Sequence, residues 1–410
     1  VSPIDASGRQ LLTHRVSDAA AASRLPHADD VVELGVWDLD SGGYRKLADT
    51  RAYNWQQGSK LQWLGPDHSS RVIFNDRVDG RLVSRIVAVA GDSEPVTLPY
   101  PVYTVHPAGH SAVCVNFERT YFPRPGYSYQ GVVEPRWDVP VHPDDGLFRL
   151  DLSSGDVTRI VSTTHLIEHK PLSVMTGASH YLEHAMFNPF GGGRFVFLHR
   201  FTLEDGGIYS RAYTADEHGG DLHLLLDSGR FSHCGWRSEN ELTAWAALPT
   251  RLGELRKYRA LVKYALGPVL PLYRRLVPPH SKLRRAANAG GYLQLVDFEP
   301  NRAKMLDDGI EWWSDGHCTW HPHNPRWMLT DSYEDDDFKR HLWLYDCDER
   351  RLVEIGRFHS TPATCSTGWR CDLHPRFDRS GRFVVIDSLH EGDERQVYVI
   401  DVSSVVGAAT

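Results

Sequence analysis

The feature that most constrains the fold is a unit of short strands that recurs along the chain. Residues 317–346 show it most clearly: β-branched and aromatic residues fill three short runs between Pro, Asn and Asp breakers, and no run has helical period. Each copy reads strand, Pro or Gly turn, strand, loop, and a strand that ends in an Asp-containing turn; most copies have a fourth strand. The other copies centre on residues 61–75, 102–117, 181–201, 231–245, 371–402 and, in two pieces, 8–16 with 31–47.

Self-similarity at a period of roughly 40 to 55 residues, with four strands per unit, is typical of a β-propeller. We therefore predict an all-β fold, a seven-bladed β-propeller of four-stranded blades that forms one domain over residues 1–410. The last copy is one strand short, so we expect a segment near residues 3–10 to close the ring. A basic helical insertion, residues 251–288, interrupts the fifth blade.

Composition excludes several classes of protein. Charged residues are 24% and hydrophobic residues 41% of the chain, which is typical of a soluble globular protein. The net charge of −8 argues against nucleic acid as a partner, and no apolar run is long enough for a transmembrane segment. Because the chain begins with Val1, a leader could have been removed, so a bacterial cytoplasmic and a periplasmic or secreted location both stay open.

The insertion differs in charge from the rest of the chain. Residues 251–285 carry ten Lys and Arg side chains against the single acid Glu254, on an acidic protein. The spacing of apolar residues predicts a basic amphipathic hairpin, which could be a lid over the channel, a membrane-surface contact or a dimer contact. We favour a lid that guides an anionic polymer to the channel, against the alternative of a solvated basic loop.

Polar residues gather where the chain enters and leaves the second blade. Asn54 and Gln57 precede an inner strand, and Asn75 ends the strand that follows it. Loops that enter inner strands surround the mouth of the central channel, so these side chains could bind a ligand there. The alternative is that the amides cap turns and satisfy backbone groups.

The stretch 102–131 is rich in Tyr, Arg and Pro. Tyr103 enters the third inner strand, Arg119 follows its second strand, and a Pro-braced loop presents Arg124 and Tyr127. Arginine pairs a carboxylate bidentately, and a tyrosine near a cation has a lowered pKa and can act as a base. These residues therefore suit an anionic sugar, unless Arg119 pairs an acid and the tyrosines only pack.

Alignment of the later copies at their Pro turns places His184, His233, His317 and Arg370 at equivalent positions of four successive inner strands. Inner strands surround the channel, so these residues form an arc that could gather an anion, a metal or both. Cys371 and His374 have ligand-like spacing, and we predict a divalent zinc or manganese ion held by some of His233, His317, Cys371 and His374. A single inner-strand histidine is more often structural.

Several short segments resemble a bacterial propeller family allied to polysaccharide lyases, which includes the seven-bladed ulvan lyases, the rhamnosyl-glucuronate lyases and, more distantly, oligogalacturonate lyase. The resemblance spans roughly residues 53–402 and leaves out the basic insertion. The segments that carry it are NWQQGS at 54–59, QW at 62–63, FND at 74–76, RPGY at 124–127, HAMFNP at 184–189, FLHR at 197–200, GH at 316–317 and WRCDLHP at 369–375.

The resemblance implies β-elimination of a uronic-acid-containing glycan. The family pattern has a Tyr followed sixteen residues later by an Arg, as Tyr103 and Arg119 are here. It implies that Tyr103 is the base or acid and that Arg119 and Asn75 neutralise the uronate carboxylate, with His184 and His199 as other candidates for the base.

The chain departs from the family pattern at two positions. Asn54 and Asn75 stand where the relatives have histidines, and an amide can bind a carboxylate but cannot abstract a proton. The oligogalacturonate type implies instead a metal on the carboxylate, which the histidine arc could hold.

We therefore expect a polysaccharide lyase whose partner is an anionic oligo- or polysaccharide. A non-catalytic propeller that binds an anionic glycan or a protein is the alternative. A glycoside hydrolase would need two facing carboxylates, and the candidate loops supply mostly amides, imidazoles and arginines. The substrate-binding residues that we expect are Asn54, Gln57, Arg124, Tyr127 and Arg370.

Overall fold

Seven antiparallel sheets make up the protein, and they form the predicted seven-bladed β-propeller. A computed structural model describes residues 2–407 except 19–20, 22, 92–93, 133–138, 205, 248–289, 300–301, 311, 364, 366 and 393. Within these residues the first and last sheets have three strands and the other five have four.

The strands follow the chain order, and each sheet is a meander from the channel outward. The first three blades contain β1 (Gln10–Arg15), β2 (Val32–Asp38) and β3 (Tyr44–Thr50); β4 (Gln62–Trp63), β5 (Arg71–Val78), β6 (Arg81–Ala88) and β7 (Val96–Leu98); and β8 (Thr104–Val105), β9 (Ser111–Cys114), β10 (Gly146–Asp151) and β11 (Val157–Ser162). The fourth and fifth contain β12 (Ser179–Phe187), β13 (Arg194–Thr202), β14 (Ile208–Asp216) and β15 (His223–Gly229); and β16 (Phe231–Trp236), β17 (Glu241–Ala246), β18 (Gly291–Val296) and β19 (Ala303–Met305). The last two contain β20 (Thr319–Trp320), β21 (Trp327–Asp331), β22 (Lys339–Asp346) and β23 (Arg351–His359); and β24 (Arg376–Phe377), β25 (Phe383–Ser388) and β26 (Gln396–Asp401).

Short helices lie between the strands. The helix α1 (Phe117–Tyr121) begins after Asn116, whose side chain accepts a hydrogen bond from the backbone N–H of Arg119. The described residues also contain α2 (Thr163–Glu168), α3 (Ser403–Val406) and single 3-10 turns at Pro125–Tyr127 and Ser173–Met175.

Apolar clusters between neighbouring blades form the core. Successive residues of a strand face opposite sides of its sheet, so each blade can pack against both neighbours. Leu12 and Leu34 of the first blade, for example, lie in one buried cluster with Trp63 and Phe74 of the second. Similar clusters join the following blades, which makes the ring continuous.

The ring closes by side-chain packing. Ile4 forms an isolated bridge with Leu11 of β1, on the side of the first sheet that faces the channel. Both residues are buried in one cluster with Val385 of the last blade. The segment near residues 3–10 therefore does close the ring. It does so by pairing one residue with the first sheet, and it does not supply the fourth strand that the last sheet lacks.

The meander places two sets of connections on one face of the propeller. The chain enters each innermost strand at this face, and the connection between the second and third strands of each blade lies there too. The predicted insertion, residues 251–288, and its proposed membrane or dimer contact lie outside the described residues. The flanking residues Ala246 and Gly291 are paired across β17 and β18. Within the described residues, no helix is long and apolar enough to span a membrane.

Candidate functional site

Two imidazoles and a carboxylate converge where the sixth and seventh inner strands begin. His317 lies just before β20, and Asp372 and His374 lie just before β24. One donor atom from each of the three residues lies within 4.8 Å of the others. Asp372 and His374 are two residues apart, and both side chains reach the same site although His374 has a left-handed φ of 44°.

Neighbouring acids orient the imidazoles. His317 Nδ1 lies 3.0 Å from Asp331 Oδ2, and His233 Nδ1 lies 3.1 Å from Asp315 Oδ1. A carboxylate on one ring nitrogen fixes the tautomer and leaves the other nitrogen as the ligand or base. Burial, with the nearby His233 and His374, holds the pKa of His317 well below its ordinary value, so this imidazole is neutral. The His233 and His317 ring centroids are 3.9 Å apart.

The carboxylate of Asp372 also faces two guanidinium groups. Arg340 Nη1 lies 2.6 Å from Asp372 Oδ1, and Arg370 Nε donates to the same oxygen at 3.1 Å. Burial alone would raise the pKa of Asp372, but these two cations hold it below its ordinary value. Asp372 Oδ2 is buried and lies 3.0 Å from Arg370 Nε, but it accepts no hydrogen bond from the described residues.

This donor set fits a divalent cation. Two imidazoles and an ionised carboxylate suit zinc or manganese, and the buried Asp372 oxygen that accepts no hydrogen bond from the described residues is available as a ligand. Cys371, which we predicted as a ligand, is not in this group. It is buried, and burial raises the pKa of its thiol to about 12. Because chain neighbours alternate in direction, Asp372 takes the place in the site that we had given to Cys371.

A second charged cluster surrounds Glu183 on the fourth inner strand. Arg124 Nη1 and Arg200 Nη1 each lie 2.7 Å from Glu183 Oε1, and His184 Nδ1 lies 3.4 Å from it. Burial alone would raise the pKa of Glu183, but the two guanidinium groups hold it well below its ordinary value. The carboxylate therefore stays ionised and neutralises part of the charge of the two arginines.

An irregularity in β12 sets the position of His184. The pairing of β12 with β13 shifts register between Glu183 and Met186, and His184 has a φ of 55°. A bulge of this kind redirects side chains, and here it places the neighbours Glu183 and His184 in one cluster. Burial lowers the pKa of His184 to about 4, against the opposing effect of Glu183.

A hydrogen bond joins the two clusters. Arg370 Nη2 donates to Tyr127 Oη at 3.0 Å, and the guanidinium of Arg124 stacks on the Tyr127 ring at 3.7 Å. Arg370 also binds Asp372, so the loop of the third blade is connected to the candidate cation site of the seventh. The predicted residues that therefore lie around one mouth of the channel are Arg124, Tyr127, Arg370, His184, His233, His317 and His374.

Lys60 belongs to this mouth and was missed by our sequence reasoning. Its Nζ lies 3.4 Å from the centre of the Tyr103 ring, and burial lowers its pKa to about 7. The available signal was its place, directly before the inner strand β4, in the same stretch as Asn54 and Gln57.

Tyr103 lies at the channel, but its chemistry differs from our prediction. Gln57 and the backbone of His184 lie beside its hydroxyl. Burial, followed by the charge of Glu183, raises the pKa of Tyr103, and the nearby cations do not reverse this. A tyrosine with a raised pKa is a poor base at neutral pH, so we do not assign proton abstraction to it.

Arg119, which we paired with Tyr103, binds backbone groups instead of facing the channel. Arg119 is 4% exposed, and its guanidinium donates to the backbone oxygens of His180, Val139 and Pro140 at 2.6–2.7 Å. Asp145 lies 3.7 Å from it. Arg119 therefore braces the connections around α1, and its sixteen-residue spacing from Tyr103 does not bring the two side chains together.

The two candidate asparagines cap backbone groups. Asn75 Nδ2 donates to Val102 O at 2.8 Å, and the Val102 N–H donates to Asn75 Oδ1 at 2.7 Å. Asn54 Oδ1 accepts from the backbone N–H groups of Gln56 and Gln57. Both amides have the capping role that we weighed as the alternative.

His199 is separate from His184. It is fully buried, and its Nε2 lies 2.8 Å from His180 Nδ1, against the ring of Phe201. Burial and the neighbouring His180 hold the pKa of His199 well below its ordinary value. The position of this imidazole in the interior of the fourth blade does not suit a base that must reach substrate.

A cavity of about 320 Å³ opens beside the mouth, between the fourth and fifth blades. Arg200, Phe231 and Asp315 are among its lining residues, so it adjoins both the Glu183 cluster and the His233–Asp315 pair. Its mix of aromatic, hydroxyl and charged groups is suited to a polar ligand.

Comparison with known proteins relates the fold to that of enzymes. No protein-family model matches the chain, and no curated protein matches its sequence. The structure of an oligogalacturonate lyase in complex with manganese is similar, with a TM-score of 0.59 and 14% identity over 98% of this chain and 88% of that chain. A prolyl endopeptidase is similar with a TM-score of 0.52 and 11% identity over 94% of this chain, which spans 50% of the endopeptidase. At such identities the similarity concerns the propeller fold.

Proposed function

We propose that the protein is a polysaccharide lyase that cleaves a uronic-acid-containing glycan by β-elimination at this mouth of the channel. The observation that carries the proposal is the convergence of His317, Asp372 and His374 beside the oriented imidazole of His233. The similar fold of a manganese-bound lyase supports it.

His317, Asp372 and His374 would hold a divalent cation, which when bound would neutralise the uronate carboxylate and so make the adjacent C–H bond more acidic. Arg340 and Arg370 keep Asp372 ionised for this task. Both arginines are themselves positioned by further contacts, to Glu334 and to Tyr127.

His233 is the residue that we assign as the base. Asp315 accepts a hydrogen bond from the Nδ1–H group of His233, so Nε2 is left as the basic nitrogen. In the elimination, this nitrogen takes the proton α to the carboxylate, the C–O bond at the β carbon breaks, and a carbon–carbon double bond forms between the two carbons. The leaving oxygen takes a proton from water, and the hydroxide that remains takes the proton from Nε2 of His233, so atoms and charge balance and the base is restored.

Other reaction classes fit the residues less well. A glycoside hydrolase needs two carboxyl groups that are free to face the substrate. The buried carboxylates Asp372 and Glu183 of this mouth are each held by two arginines. A binding protein without catalysis is the second candidate, and the raised pKa of Tyr103 favours it because the base that the resemblance implied is unsuited to that role.

The test is the ultraviolet absorbance of the unsaturated uronate that elimination produces. Purified protein is incubated with ulvan, glucuronan, pectic fragments and rhamnosyl-glucuronate oligosaccharides, with manganese, with zinc and with a chelator. We expect absorbance to rise on one substrate, the chelator to abolish the rise, and His374→Ala to lower the rate at least about tenfold at a fixed cation concentration.

Two variants complete the test. His233→Gln should abolish product while leaving cation affinity, measured by calorimetry, within about threefold of wild type. His218→Ala is the matched control, because this histidine is exposed on the opposite face. Glycan binding without product on any substrate would favour the binding protein.

A further inference from the structure

Lys60 is a lysine without a carboxylate partner at the mouth of the channel. No ion pair or hydrogen bond of its ammonium group occurs with the residues that the structure describes, and its close contact is the face of the Tyr103 ring, 3.4 Å away. Lys60 is half-buried, and lysines that are partly removed from water are normally paired with an acid. The ammonium group of Lys60 is therefore placed where an anion from outside the protein could form an ion pair with it.

The backbone at Lys60 is unusual in the same way as at two other residues of the mouth. Lys60, His184 and His374 have φ values of 57°, 55° and 44°, in the left-handed region that non-glycine residues rarely adopt. Strained backbone of this kind collects at ligand sites, where the surrounding structure maintains it. Three of the ten non-glycine residues with such a φ in the described part of the chain face this one mouth, which agrees with a functional position for Lys60.

The neighbouring charged groups do not neutralise the positive charge of Lys60. Glu183 attracts the ammonium group, but Arg124 and Arg200 already neutralise this carboxylate. Arg376 of the seventh blade repels it. Tyr103 is neutral, because its pKa is raised. His14, which bonds to the adjacent Ser59, is neutral too, because burial lowers its pKa to about 4.

We propose that Lys60 is the receptor for one carboxylate of an anionic ligand in the channel, and that its amine takes up a proton when this ligand binds. The neutral amine, a proton from the buffer and the carboxylate combine into an ammonium–carboxylate pair. The identity of the ligand as a uronate rests on the proposed function. Since the candidate cation would hold one carboxylate, Lys60 would take the carboxylate of a neighbouring uronate, which favours a substrate with consecutive uronates.

The first experiment measures the protonation of Lys60 without any ligand. Trace acetylation with acetic anhydride over a range of pH, read by mass spectrometry, gives the reactivity of each lysine. We expect half-maximal reactivity of Lys60 at about pH 7. Lys170 is the matched control, because it is an exposed lysine with the same left-handed backbone, at a φ of 56°. A half-maximum for Lys60 above about pH 9 would overturn the proposal.

The second experiment measures proton uptake with digalacturonate as the probe. Calorimetry at about pH 7 in two buffers that differ in ionisation enthalpy should show uptake of about half a proton per bound ligand, because a group with a pKa of about 7 is half protonated there. Lys60→Met should lose this uptake and bind at least about tenfold more weakly, whereas Lys170→Met should match wild type. Binding without proton uptake would contradict the proposal.

The outcome separates this inference from the proposed function. If digalacturonate protects Lys60 from acetylation but no unsaturated product forms with any cation, Lys60 is an anion receptor in a binding protein and the lyase proposal fails. If product forms and neither protection nor proton uptake is seen, the lyase proposal stands and the role of Lys60 is refuted.

Discussion

At the scale of single residues, the charge on Lys60 costs stability in the free protein. A lysine whose pKa falls from 10.5 to about 7 on folding binds its proton more weakly in the folded state. The cost is therefore fully present below about pH 7 and is relieved as the pH rises toward the unfolded pKa. A residue that is unfavourable for folding and still present is a candidate for function.

We expect Lys60→Met to raise the melting temperature by about 2 °C or more at about pH 6, because it removes a half-buried charge and keeps an apolar stem of similar length. The gain should shrink between about pH 7 and about pH 10, as the wild-type lysine loses its proton in the folded state. Calorimetry across this range tests the sign. An equal gain at all pH values would mean that packing, and not charge, causes the effect.

Arg119, in contrast to Lys60, should stabilise the fold. Its guanidinium binds three backbone oxygens away from the channel, so Arg119→Met should leave buried acceptors unpaired and destabilise the fold by about 3 kcal/mol. Urea unfolding measures this loss. The activity per folded molecule should stay within about twofold of wild type. A large loss of activity in a variant of wild-type stability would restore Arg119 to the catalytic machinery.

These residues show what a sequence can and cannot indicate about a site. Turn chemistry offered the local capping role that Asn54 has, because this cap depends on residues close by in the chain, whereas Asn75 binds the backbone of Val102, 27 residues further on. The sequence did not indicate the importance of Lys60 or Asp372, because burial and the charges of distant blades determine both. The sixteen-residue spacing from Tyr103 to Arg119 was not informative either, since Arg119 lies within helix α1 and its guanidinium binds backbone oxygens away from the channel.

At the scale of elements, the bulge in β12 and the loop that carries Arg124 depend on each other. Glu183 is presented at the bulge, and it binds Arg124 from the loop of the third blade and Arg200 from β13. One carboxylate thus holds the loop, the inner strand and its neighbour together, and Arg370 extends the contact to the seventh blade through Tyr127.

Glu183→Gln should uncouple these elements. The substitution keeps the shape but leaves two cations without their anion, and breaking a buried pair in this way costs about 3–5 kcal/mol. Urea unfolding tests the stability, and limited proteolysis within the loop tests whether Arg124 is still held. The matched control is Glu239→Gln on the surface of the next blade. An unchanged stability of Glu183→Gln would show that the loop is held by packing alone.

Period and turn chemistry predicted the strands better than they predicted their irregularities. The repeat located all seven blades, because strand alternation and Pro or Gly turns are local signals. The bulge at residues 183–186 was not predicted, since it results from the packing of His184 and Glu183 against other blades rather than from a local breaker.

At the scale of the whole molecule, the stability of a propeller depends on how its first and last blades meet. Here Ile4, which precedes β1, adds an isolated bridge to the first blade, and the last blade keeps three strands within the described residues. The join depends on a small apolar cluster in which Ile4 and Leu11 contact Val385. The mouth of the channel is assembled from residues of blades on both sides of this join, so its geometry requires the ring to stay closed.

Ile4→Ala tests this join directly. Ile4 is 0% exposed, and its truncation should cost about 2–5 kcal/mol through lost burial and the remaining cavity. Because the loss falls at the point where the ring closes, we expect urea unfolding to become less cooperative as well, with the blades next to the join opening first. Val399→Ala, on the exposed side of the last blade, should change stability by less than about 0.5 kcal/mol. If Ile4→Ala also costs less than this, the contacts of Ile4 do not hold the ring closed, and hydrogen bonds such as that from Trp63 Nε1 to Pro3 O must carry the N-terminal segment instead.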